Sequence, residues 1–76
     1  MNNPRRKAIQ AIVDQIENIK GELETIRDEE QEYMDNMPEN MQGSERHEKA
    51  ESAVYVMESA LDSLDEALAS LGEAIE

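Results

Sequence analysis

The chain of 76 residues carries 19 acidic and 7 basic side chains, giving a formal charge of −12, with one histidine and no cysteine. A domain this short is marginal on its own, and without cysteine no disulfide stabilises it. The negative charge argues against direct binding to DNA, RNA or anionic membranes, because these are polyanions. We therefore expect one small domain that associates with another macromolecule, its acidity serving either a basic partner or solubility alone.

The first predicted helix runs from about Pro4 to Asp35, with Asn3 as its N-cap. Its apolar residues recur in steps of three and four, which is typical of a heptad repeat whose a and d positions face neighbouring helices. Position a holds Ile9, Ile16 and Leu23, and position d holds Ile12, Ile19, Ile26 and Tyr33. Val13 and Met34 widen the apolar stripe at position e, whereas Glu30 interrupts the a series.

A connection at about residues 36–43 follows, in which Pro38 and Gly43 stop regular helix and Ser44 caps the next one. The second predicted helix, about 44–75, repeats the heptad. Position a holds Val54, Leu61, Leu68 and Ile75, position d holds Met57, Leu64 and Leu71, and position g holds Ala53, Ala60, Ala67 and Ala74. Alanine at every g position allows a neighbouring helix to approach closely, beyond its high helix propensity.

Two helices of about 32 residues, each about 48 Å long, joined by a short connection predict an all-α antiparallel hairpin that forms a single domain. Two helices alone cover such wide apolar stripes poorly, whereas two hairpins in a four-helix bundle cover them well. We therefore expect a homodimer. The alternative is a hairpin that completes its core on a foreign partner.

The acidic residues are concentrated beyond residue 20, because residues 1–20 hold four basic and two acidic side chains and the remainder holds three basic and 17 acidic ones. Along the first helix, successive carboxylates recur every three or four residues, about 5–6 Å apart. Neighbouring phosphates of a DNA strand have a comparable separation, so a rigid row of this kind can imitate a phosphate backbone. The candidate partner-binding residues are Glu24, Asp28, Glu29, Glu32, Asp35, Glu39, Glu58, Asp62 and Asp65. The competing interpretation is a face that is merely solvated.

Signatures of catalysis and of cofactor or metal binding are missing from the sequence. The one histidine, His47, has no convergent nucleophile, and Ser44 stands three residues before it where a di-iron bundle requires glutamate. Three scattered glycines cannot form a phosphate-binding loop. We expect a protein that is not an enzyme and that has no cofactor or metal. Tyr55, at position b and off the seam, is a candidate partner contact, while Tyr33 is expected in the core.

The segment from Asp28 to Glu51, DEEQEYMDNMPENMQGSERHEKAE, resembles small acidic proteins of phages and prophages of Gram-positive bacteria. The resemblance extends over the end of the first helix, the connection and the second helix, about two thirds of the chain, and it is most specific at Asp35–Asn40 and Ser44–Arg46. It implies a viral accessory protein acting in the host bacterial cytoplasm. Some inhibitors of CRISPR nucleases are similar to this chain in size and charge, which is a likeness of class rather than of motif.

Two functional hypotheses follow. In the first, a phage-encoded protein occupies the basic groove of a host nucleic-acid-binding protein, such as a CRISPR nuclease, as a DNA mimic. An antitoxin-like neutraliser of a basic protein would use the same charge. In the second, the hairpin is a structural or assembly module whose apolar stripe pairs with partner helices, and the charge serves solubility. No membrane span and no signal peptide are expected in either case.

Overall fold

The computed structural model describes residues 1–76 as two long helices, α1 (Asn3–Asp35) and α2 (Glu45–Ala74), separated by a single short 3-10 helix at Glu39–Met41. There are no strands, and α1 packs along α2. The predicted all-α hairpin is confirmed. The molecule is a rod of 60 × 15 × 13 Å, and neither helix is long and apolar enough to span a membrane.

The helix starts are set by side-chain caps. The Asn2 side chain, rather than that of Asn3, accepts a hydrogen bond from the Arg5 backbone N–H at 2.9 Å, so α1 begins one residue earlier than predicted. Ser44 caps α2 as predicted, accepting a hydrogen bond from the His47 backbone N–H at 3.3 Å. Each cap satisfies a donor that has no partner within its own helix.

The connection is more ordered than a run of turn residues suggests. Met37 is buried beneath it, and the Gln42 side chain donates a hydrogen bond to the Met37 carbonyl at 3.1 Å. Gly43 has a φ of 81°, a left-handed conformation that glycine adopts without steric cost. The three methionines near the turn, Met34, Met37 and Met41, are buried or half-buried, so they pad the end of the hairpin.

The core of the hairpin is thin. Only Met37, Ala50, Val54 and Leu61 are buried, and the predicted a and d residues of α2 are all buried or half-buried. The seam assigned to α2 from the sequence is therefore where α1 packs. A core of this size leaves little margin of stability for the single chain.

The seam of α1 differs from the prediction within the hairpin. Positions a and e face α2, whereas the d residues lie at the edge of the contact and are about half exposed: Ile12 at 47%, Ile19 at 52%, Ile26 at 54% and Tyr33 at 46%. The helix is rotated because Val13 and Met34 supply apolar side chains at e, and because Lys20, also at e, pairs with Asp65 of α2. Tyr33 is thus not a core residue of the single chain.

Candidate functional site

The seam divides the hairpin into two unlike sides. On one side, e and b residues of both helices line an open polar cleft of about 320 Å³, formed by Lys20, Glu24, Arg27, Glu58, Leu61, Asp62 and Asp65. On the other side, Tyr33 of α1 lies beside Arg46 and Ala50 of α2 at the loop end. We call the first side the acidic flank and the second the apolar flank. Their separation is the main feature of the surface.

The acidic residues of α2 all lie on one side of the helix, and the other side carries none. Every acidic residue of α2 occupies position b, e or f, which are the positions of the acidic flank and the adjoining outer surface. Positions c and g carry only small or apolar residues and two cations: Arg46, Lys49, Ala53, Val56, Ala60, Ser63, Ala67, Ser70 and Ala74. A surface that used acid only for solubility would not need this partition.

Within the polar cleft, two cations are set among four carboxylates. Lys20 pairs with Asp65 across the two helices, and Arg27 Nε pairs with its neighbour Asp28 at 2.9 Å. Glu24, Glu58 and Asp62 have no cation within ion-pair distance. The cleft therefore keeps uncompensated negative charge, which is what a basic ligand would meet.

The hydrogen bond that Lys20 donates to Asp65 raises the pKa of the Lys20 ammonium above its ordinary value. Partial desolvation works in the opposite direction, while the charges of Asp65, Glu24 and Glu17 add to the rise. Lys20 therefore stays protonated at any physiological pH. It holds α1 and α2 together on the acidic flank rather than acting as a titrating group.

Glu24 also begins a row of predicted partner-binding acids that continues along α1 toward its C-terminus. Glu24, Asp28, Glu32 and Asp35 fall within an arc of about 80° on the helix surface, at 3.6 residues per turn. Because α1 ends at Asp35, Glu39 lies outside this row, in the 3-10 helix after Pro38. Glu29 lies at position g, turned toward the apolar flank. The structure thus gathers four of the nine predicted acids around the cleft and leaves the others exposed along α1 and its connection.

Tyr55 is 73% exposed and borders Glu58, Ser59 and Asp62 in a shallow depression on the acidic flank. An exposed tyrosine beside uncompensated carboxylates suits a protein interface, where aromatic side chains often supply much of the binding energy. The prediction that Tyr55 lies off the seam is confirmed, and its role in binding stays a prediction.

Lys20 and Arg27 are the cleft residues that sequence reasoning missed. The signal for them was available: both occupy position e of the first helix, and acids occupy position e of the second helix at Glu58 and Asp65. Charged residues at e commonly pair across a helical seam. Their presence was hidden because the isoleucines at d gave a stronger apolar pattern.

No cluster of three or more potential ligands is arranged to hold a metal ion. His47 is half-buried in the first turn of α2. A larger open cleft of about 570 Å³ lies at the loop end, where Glu30, Tyr33, Met41, Arg46, Lys49 and Ala50 contribute to its lining. Ser44 and Glu45 complete the lining, and the Ser44 hydroxyl accepts the hydrogen bond that caps α2.

Comparison of the chain with protein-family models, curated proteins and solved structures found no match.

Proposed function

We propose that this hairpin is a binding protein that occupies a basic, nucleic-acid-binding surface of a host protein through its acidic flank. The observation that carries the proposal is the convergence of Glu24, Glu58 and Asp62 on one cleft, where none of the three forms an ion pair and acids outnumber the two cations. Carboxylates held on two packed helices lose little conformational freedom when they meet arginine or lysine, which favours binding.

The acidic row of α1 extends this surface. Glu24 to Asp35 covers about 16 Å along the helix axis, which is long enough to present several charges to a groove shaped for nucleic acid. Tyr55 adds an exposed aromatic contact beside the cleft. DNA mimicry accounts for the number, the spacing and the one-sided placement of these acids together.

A viral origin and an inhibitory role are part of this proposal only as what the resemblance noted for Asp28–Glu51 implies. A host nuclease that binds DNA, such as a CRISPR effector, is a partner of suitable chemistry. Its nucleic-acid groove must be basic and long, because it contacts many phosphates.

Two charge reversals on exposed helical carboxylates test the proposal. Asp62→Lys changes the polar cleft, while the matched control Glu22→Lys changes the charge equally at position g of α1, on the other side of the seam. Each tagged variant is used to capture proteins from a bacterial lysate, followed by washes of increasing salt and mass spectrometry. We expect a basic nucleic-acid-binding protein on the wild type and on Glu22→Lys, reduced about tenfold or more on Asp62→Lys and released by salt.

Equal retention by Asp62→Lys and the wild type would refute binding through the cleft. The second candidate function, an assembly module, is favoured by the exposed isoleucines of α1. For that function, we expect Ile19→Asp to abolish capture of the partner and charge reversal of the surface acids to leave capture unchanged. The captured partner should also stay bound in high-salt washes. Circular dichroism of each variant separates loss of binding from loss of fold.

A further inference from the structure

The row Ile12, Ile19, Ile26 and Tyr33, which we call the isoleucine stripe, is only partly covered within the hairpin. Its members recur every seven residues and are 46–54% exposed. They account for most of the large exposed hydrophobic side chains of the chain. A contiguous apolar stripe along a helix is uncommon on a monomer and marks an association surface.

The apolar flank of α2 carries a second row with the same spacing, Ala53, Ala60, Ala67 and Ala74, which we call the alanine row. Ala60, Ala67 and Ala74 are exposed, so α1 does not fill the space beside them. The Lys20–Asp65 pair fixes the relative height of the helices and sets Ile19 nearly level with Ala67. Because both rows have a period of seven, Ile26 is then level with Ala60, and Tyr33 with Ala53.

We infer that a second copy of this chain docks on the apolar flank, related by a two-fold axis parallel to the long axis of the rod. In this arrangement each isoleucine stripe lies on the alanine row of the other copy. Large side chains then face small ones in every layer, which is how helical cores fill space without voids. All neighbouring helices of the resulting four-helix bundle are antiparallel.

The charge on the apolar flank agrees with this occupant. Positions c and g of α2 carry no acid, and their two cations, Arg46 and Lys49, lie at the loop end, where Lys49 pairs with Glu45 at 3.3 Å. In the bundle the alanine row therefore meets the uncharged isoleucine stripe of the second copy. A copy turned end for end would instead place Glu22 of each chain close to Glu22 of the other, which is unfavourable for like charges.

The surface area also fits a second copy. The hairpin exposes 5577 Å², whereas a compact protein of 8.6 kDa exposes about 4,700 Å². The excess of about 900 Å² is close to the roughly 800 Å² that each partner buries in a standard interface.

The arrangement has a consequence for binding. Since the apolar flanks meet in the middle, the two polar clefts face outward on opposite sides of the bundle, and the two connections lie at the same end. This consequence rests on the proposed function: with two outward-facing polar clefts, the dimer has two binding sites for basic partners. Its own test requires no partner, so its failure is distinguishable from failure of the proposed function.

The oligomeric state is tested by sedimentation equilibrium of the wild type, Ile19→Glu and the control Tyr55→Glu. Both substitutions place a charge on a side chain that is at least half exposed in the hairpin, but only Ile19 lies on the apolar flank. We expect twice the chain mass for the wild type and Tyr55→Glu, and the single-chain mass for Ile19→Glu with its helicity retained. A monomeric wild type, or an Ile19→Glu variant that still dimerises, overturns the inference.

The orientation is tested with a spin label on Asn40→Cys, since the natural chain has no cysteine and Asn40 is exposed in the connection. Connections at one end predict a distance below about 30 Å between labels, because neighbouring helix axes lie about 8–10 Å apart. Connections at opposite ends predict more than about 45 Å, the length of a 30-residue helix. The longer distance overturns the proposed two-fold axis.

Discussion

The rotation of α1 predicts that two aliphatic residues, Leu61 and Ile19, differ sharply in their effect on stability. Leu61 is 5% exposed against α1, whereas Ile19 is 52% exposed. Truncation of leucine to alanine removes three carbon atoms. At about 0.8 kcal/mol for each buried carbon, plus a cavity cost, Leu61→Ala should lower the free energy of unfolding by about 2.5–3 kcal/mol.

Ile19→Ala removes the same number of carbon atoms from a half-exposed site, so its cost in the single chain should be about half as large. The measurement is urea unfolding followed by circular dichroism at 222 nm, repeated over a wide range of protein concentration. At low concentration Leu61→Ala is the more destabilised variant. As concentration rises, the cost of Ile19→Ala should grow, because the proposed dimer buries this side chain.

An equal cost for the two substitutions at every concentration would refute the reasoning. That result would mean that position d of α1 faces α2, as the heptad pattern alone suggested. The slope of the transition with urea serves as a control, since an unchanged slope shows that both variants unfold from a similarly compact state.

Three further predictions concern the ion pair, the turn and a glycine within α1. The pKa of Lys20 is raised in the folded state, so its ion pair contributes stability that is fully present below pH 10.5 and is lost as the pH rises through the folded-state pKa. Urea midpoints between pH 9 and 11.5 should show this loss in the wild type and not in Asp65→Asn. Gly43→Ala should destabilise by about 1–2 kcal/mol because φ is 81°, although no atom lies within 4 Å of the added methyl group. Gly21→Ala, which is helical and also has open space, should instead stabilise by about 0.5–1 kcal/mol in thermal melts. A Gly43→Ala variant as stable as the wild type would show that this turn does not require the left-handed conformation.

Much of the fold follows from local signals in the sequence. The seam of α2 could be predicted because Val54, Leu61 and their neighbours form one apolar pattern that admits a single buried face. The cap at Ser44 and the stop near Pro38 depend on the chemistry of single residues. These features involve short stretches of chain, so pattern and propensity were sufficient.

The rotation of α1 could not be predicted in the same way. Position d of α1 is more apolar than position e, so hydrophobicity alone selects the wrong face for the single chain. The structure instead turns position e toward α2, where Lys20 pairs with the distant residue Asp65 and Val13 and Met34 are half-buried. Met37 was likewise hidden, because its burial depends on how the connection folds back over the helix ends.

The acids that belong to the candidate site could be predicted from the sequence, but their arrangement in space could not. Charge and spacing singled out Glu24, Glu58, Asp62 and Asp65, yet only the antiparallel pairing gathers them around one cleft with Lys20. Conversely, Glu39 continued the acidic spacing of α1 in sequence but lies beyond the end of the helix. Helix length and register, rather than spacing alone, determine which acids act together.

The measurement that tests the central claim most directly is competition between the hairpin and duplex DNA for the basic protein that it captures. The account predicts that wild-type hairpin displaces labelled DNA from that protein, that Glu22→Lys does so equally, and that Asp62→Lys requires about tenfold more protein at low salt. Simultaneous binding of DNA and hairpin, or equal displacement by Asp62→Lys and the wild type, would contradict the claim that the acidic flank occupies the nucleic-acid groove.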